Sequence, residues 1–147
     1  MTAKEYLNKI HRDLKTAEAL HGKISALRSE MEGLKAVTYD RDRVQTSPAD
    51  RMSEMIPRLV DLEEKYAKAV ADYYEGILVR VQQIAEIGRA DYEEILRLRY
   101  IEVNKEGKRY TLEEIAVKTH RSFDRVAHLH GDALEAFRRK YLKDDKQ

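Results

Sequence analysis

Three histidines, His120, His128 and His130, lie close together near the carboxyl-terminal end and would suit a transition-metal site if their side chains converged. On one helix, however, residues two apart diverge by about 200°, so His128 and His130 point to different sides. His130 falls about 40° from the inward centre of its helix at 100° per residue and is expected as a packed, hydrogen-bonded core residue. His11 and His21 have no acidic partner in register and are expected at the surface. Acid pairs such as Glu63-Glu64 and Glu93-Glu94 recur on charged helices, where solvated faces account for them, and no nucleophile–base arrangement accompanies them. Tyr66 and Tyr73 follow an apolar stripe, so packing explains them. The chain has no Cys, which removes thiolate ligands, disulfides and a Cys nucleophile. No Gly-rich phosphate loop occurs. The expectation is therefore no catalytic residue, no metal, no cofactor and no enzyme.

A different chemistry is available in TLEEIAVKTHRSFDRVAHLHGDALEAFRR, Thr111 to Arg139. Thr111 and Glu114 have capping-box spacing, in which hydroxyl and carboxylate satisfy each other's free backbone amides. Leu112, Ile115 and Ala116 form the inner face of a short helix ending near Lys118. Ser122 then caps a second helix. With Val126 at the inward centre, Leu129, Ala133 and Phe137 lie within about 60° of it, while Asp124, Ala127, His128, Gly131 and Glu135 point away. Two helices joined by a tight turn, the second with a small-residue outer face, fit a reader of the DNA major groove. They fit a plain packing element equally well.

The rest of the chain must position this segment. Of 147 residues, 37% are charged and 42% hydrophobic, with only two Pro, the profile of a mostly helical protein. The net charge of +1 supplies no global field toward nucleic acid or membrane. From about Ala3 to Ala36 the residues Tyr6, Ile10, Leu14, Ala17, Leu20, Ile24, Leu27, Met31 and Leu34 recur at steps of three and four. From about Glu54 to Ile87 the same holds for Leu59, Leu62, Tyr66, Ala69, Tyr73, Ile77, Val81, Ile84 and Ile87. Neither helix hides its narrow stripe alone, so the expected architecture is all-α: a long antiparallel, coiled-coil-like helical hairpin, open to doubling in a homodimer. Residues 1–89 would form this hairpin with a long loop at 37–53, and residues 90–147 a small helical domain that leans on it. Gly88 closes the second helix, and Asp91, with Glu94 behind it, would cap the next, which presents Ile95, Leu98 and Ile101. No apolar run approaches the roughly 18 residues of a membrane span, and MTAKEYLNK lacks an apolar signal core. No membrane contact and a cytoplasmic location are expected.

The segment from Glu93 through Arg139 resembles region four of bacterial primary sigma factors. Ile95-Leu96-Arg97-Leu98-Arg99-Tyr100 is similar to its first core helix, Thr111 to Ala116 to its second, and Ser122 through Leu134 to its recognition helix. DRDRVQTSP, Asp40 to Pro48, together with LHG at Leu129 to Gly131, resembles a family of phage and prophage proteins related to late-gene activators of the ArpU and RinA kind. The resemblance implies a helix-turn-helix regulator that binds double-stranded DNA and contacts RNA polymerase in a bacterial host cell. By position it implies base-facing roles for Phe123, Asp124, Ala127 and His128. Asp124 would accept from a cytosine amino group, His128 would bond a purine edge, and Phe123 or Ala127 would pack on a thymine methyl. Ser122 opens the recognition helix, and Lys118, Arg121, Arg125 and Arg138 would lie near phosphates. Duplex binding that weakens steeply with salt follows from this. Three departures stand out: Thr119, His120 and Arg121 occupy a turn that usually carries a Gly between apolar residues, Phe123 and Ala127 replace base-reading Arg, and Asp124 and Glu135 add negative charge. With 13 basic and 12 acidic residues between 91 and 147, electrostatic affinity is modest. A second reading follows from the departures: a protein-interaction adaptor, anti-sigma-like or polymerase-binding, that does not read DNA. A small DNA-packaging subunit is a third.

Overall fold

Thr2 begins the first helix. Its hydroxyl accepts from the Glu5 amide at 3.1 Å and the Glu5 carboxylate accepts from the Thr2 amide at 2.8 Å, a capping box legible as T-x-x-E in MTAKE. The computed structural model describes residues 1–37 and 48–143, and the described chain is all-helical apart from short connections. Helix α1 spans Ala3–Val37, α2 Pro48–Ala85, α3 Ala90–Leu96, α4 Leu112–Lys118 and α5 Phe123–Tyr141. A π-helical turn, Arg97–Ile101, continues α3. Among the described residues no helix is long and apolar enough to cross a membrane.

Helix α2 starts at Pro48, six residues before the expected Glu54, so residues 48–53 are helical and not loop. Pro48 at the first position suits a helix because its missing amide would be unpartnered there. The Asp40–Pro48 motif lies almost wholly outside the described residues.

Packing forms two compact units: residues 1–12 with those from 74 onward, and residues 13–73. This partition differs from a division at 89/90, because the amino-terminal end of α1 and the carboxyl-terminal end of α2 join the carboxyl-terminal segment. The first unit holds one core, in which Leu7 and Ile84 pack with Ile95, Leu96, Tyr100, Ile115, Val126, Leu129 and Phe137. All of these are almost fully buried. Leu7 lies beside the expected α1 stripe, and His11, one turn further, is half-buried with it and not at the surface. On α2 the expected core residue Val81 is 40% exposed while Arg80 is 5% exposed. The Arg80 guanidinium lies 4.1 Å from the Tyr6 ring centroid and its Nε donates to the Tyr6 carbonyl at 3.0 Å. This combines aromatic stacking with a satisfied donor, the form in which an Arg tolerates burial. In the second unit, Ala17, Ile24 and Leu27 are buried, His21 meets Tyr66 with centroids 5.7 Å apart, and Arg28 pairs with Glu63 at 2.5 Å.

Asp91 does not cap α3. The N-cap is Arg89, and the Asp91 carboxylate is taken by the Arg89 guanidinium at 2.8 and 3.2 Å. The π-helical turn closes with the Glu102 amide donating to the Arg97 carbonyl at 2.9 Å, a five-residue step. It puts Leu98 and Tyr100 in the core and leaves Ile101 half-buried.

Candidate nucleic-acid interface

The segment between α3 and α4 sets where α4 begins. Asn104 Oδ1 accepts from the amides of Glu106 and Lys108 at 2.9 and 3.0 Å, Gly107 takes φ 76°, and Val103 bridges to Arg109. This Asx-type turn delivers Tyr110 and Thr111 to the start of α4. The Thr111 hydroxyl accepts from the Glu114 amide at 3.2 Å. The Glu114 carboxylate accepts from the Thr111 hydroxyl at 3.3 Å in place of the backbone amide expected of a full capping box.

Helix α4 stops at Lys118, and His120 turns the backbone with φ 54°. This left-handed conformation is one that Gly adopts freely and other residues rarely. Ala116 accepts from the Arg121 amide at 3.0 Å, which folds the chain back. Ser122 then accepts from the Arg125 amide at 3.2 Å and α5 begins at Phe123. Along α5 the buried residues are Val126, Leu129, Ala133 and Phe137, the four placed inward by angle alone.

The opposite side of α5 is open. Asp124, Arg125, His128 and Gly131 are exposed, Ala127 is half-buried, and Phe123 is 46% exposed. The His128 Nδ1 lies 2.7 Å from the Asp124 carbonyl. A carbonyl can only accept, so Nδ1 is the donor, and in that tautomer of the neutral ring Nε2 is an acceptor.

The expected phosphate contacts divide. Arg125 is exposed on the first turn of α5. Lys118 is exposed, with its ammonium 3.2 Å from the Tyr110 hydroxyl and 5.1 Å from that ring's centroid. Arg121 is half-buried and pairs with Glu94 at 3.2 Å. Arg138 is clamped by both oxygens of Glu135 at 2.9 Å, and Arg139 shares that carboxylate at 2.9 Å. Glu135 is thereby held down at a pKa of about 2, first by the Arg138 hydrogen bond and then by Arg139. These acids have local cationic partners, which sequence spacing missed for Glu94 because it sits 27 residues from Arg121.

His130 is half-buried against the core. Its Nε2 meets the buried Tyr100 hydroxyl at 2.9 Å with the rings stacked 5.8 Å apart. Burial, with Arg99 and Lys4 nearby, lowers its pKa to about 4. Among the described residues no group of three His, Cys, Asp or Glu side chains could hold a metal ion. In comparisons with protein families, curated proteins and solved structures, nothing matches this chain.

Proposed function

We propose that this chain is a sequence-specific DNA-binding transcription regulator of phage or prophage type. It is not an enzyme, controls late genes and contacts RNA polymerase in the cytoplasm of a bacterial host. In this reading α4, the His120 turn and α5 act as a helix-turn-helix of the sigma-region-four kind. The observation that carries it is the open Asp124–His128 surface on a helix whose reverse side is anchored in the core. A long antiparallel hairpin is supported within the second unit, where the α2 partners fall from Tyr66 to Glu63 as the α1 partners rise from His21 to Arg28.

The mechanism is direct readout. Asp124 accepts from a cytosine amino group, His128 Nε2 accepts from an adenine or cytosine amino group, and Phe123 or Ala127 covers a thymine methyl. Lys118 and Arg125 meet phosphates and fix register. Ser122 holds the first turn of α5 in place. Arg121 and Arg138 act through their carboxylates, Glu94 and Glu135, and position the helix.

Selection from random duplexes with the full chain should enrich one motif. Asp124→Ala and His128→Ala should shift base preference at individual positions by about fivefold or more, the value of roughly 1–3 kcal/mol per base contact. Arg125→Ala should weaken all sites alike. Enrichment of no motif refutes the reading.

The adaptor alternative has its own observation: Val117, 77% exposed, and Phe123 leave apolar surface on either side of the turn. Polymerase retained in a pull-down, with no duplex shift at low salt, would select that alternative.

A further inference from the structure

Helix α2 carries a second apolar face within the first compact unit. Tyr74, Leu78 and Val81 are 61%, 71% and 40% exposed, and Ala85 is exposed too. At 100° per residue these four lie within about 60° of one another and roughly a third of a turn from the buried Ile84 and Arg80. Their steps of four, three and four are the spacing of a coiled-coil seam. Apolar side chains in register on an exposed helix cost solubility unless something covers them.

We propose that a second copy of this chain covers this face, in an antiparallel two-fold pair. This rests on the DNA-binding reading only for its consequence at the operator, not for the contact itself. The spacing is palindromic, so a two-fold axis midway between Leu78 and Val81 lays Leu78 over Val81 of the partner subunit. The same axis lays the large Tyr74 over the small Ala85 of the partner subunit, so each layer matches a larger side chain with a smaller one. Glu75 and Gln82, both exposed, flank the seam on its far side, and the same axis brings Gln82 to within about 3 Å, along the helix, of the level of Glu75 of the partner subunit. Gln82 donates one amide hydrogen to Glu86 at 3.2 Å and keeps a second for Glu75 of the partner subunit. An isologous contact of this kind closes on two subunits and stops.

Ile84 belongs to the same core as Val126, Leu129 and Phe137 of α5. The paired segment and the reading helix therefore share one compact unit, and a two-fold axis on one relates the two copies of the other. The operator that suits such a pair is an inverted repeat.

The test is sedimentation equilibrium of the full chain, without DNA, from micromolar to submillimolar concentration. The wild type should show twice the chain mass, and Leu78→Glu should show the single-chain mass with unchanged helical circular dichroism. Val81→Lys should do the same if Leu78→Glu lowers helicity. A wild type that stays single throughout, or a well-folded L78E and V81K that both stay paired, overturns the proposal. In the duplex selection the wild type should then enrich an inverted repeat and L78E a half-site. A pair that forms and dissociates as expected but enriches no motif leaves the contact standing and removes the DNA reading.

Discussion

At His120 the chain holds a β-carbon in a conformation that L residues avoid, at a cost of about 1–2 kcal/mol, because α4 and α5 must reverse direction within a few residues. His120→Gly should therefore raise stability by up to about 1 kcal/mol, and the branched His120→Val should lower it, both read from urea midpoints. His130 supplies a pH dependence. Its folded pKa of about 4 lies below its ordinary value of 6.5, chiefly through burial. Between those values the unfolded chain binds more protons, so its contribution to stability is present above about pH 6.5 and is lost as pH falls toward 4. Glu135, held at about 2 by Arg138 and Arg139, contributes above its ordinary 4.5 and loses that contribution toward pH 2. The two windows barely meet. In melting scans His130→Gln should flatten the slope between pH 6.5 and 4 and leave the lower-pH loss in place.

The helices show which interactions can be read along the chain. Those set by residues three or four apart were legible: the inward set of α5, the Ser122 cap, and Gly88 beyond α2 with φ 82°. The outward Asp124–His128 surface was legible for the same reason, since an angle that places Val126 inward places them outward. Partners distant in sequence were not legible. Arg121 with Glu94, Arg80 on Tyr6 and Tyr100 with His130 join elements whose packing no local period encodes. The π-helical turn was hidden because one extra residue per turn leaves no compositional mark. Arg89 took Asp91 away from the capping role its type favours, since a guanidinium offers a carboxylate two charge-assisted bonds where a backbone amide offers one. On the same logic α5 depends on its buried anchor more than on its cap. Phe137, fully buried and 4.9 Å from the Tyr141 ring centroid, should cost about 3–5 kcal/mol as Phe137→Ala, against about 1 kcal/mol for Ser122→Ala. Chemical denaturation of the two variants measures the difference.

Across the whole molecule, charge decides how the proposed regulator would hold DNA. The segment from 91 to 147 is nearly balanced, with 13 basic and 12 acidic residues, and its cations are unequally placed. Arg121 and Arg138 hold Glu94 and Glu135, so meeting a phosphate would break an ion pair and expose a carboxylate to a polyanion. That leaves Lys118 and Arg125 as the phosphate contacts of one reading surface. Counterion release scales with contacts made, about 0.9 per phosphate on duplex DNA, so the logarithmic salt dependence should be roughly −2 for one chain and roughly −4 for a two-fold pair. The steep dependence expected from four cations per chain is reduced by half. Fluorescence anisotropy with a selected duplex over a salt series measures the slope, and L78E run beside the wild type separates the one-chain value from the paired one. A wild-type slope of roughly −7 would mean that Arg121 and Arg138 leave their carboxylates on binding. Where the wild-type slope instead stays near −4, Glu135→Gln, which releases Arg138 and Arg139 without removing either, should steepen the slope of the folded protein. If it leaves the slope unchanged, neither arginine reaches the backbone, and affinity must come from base contacts and pairing.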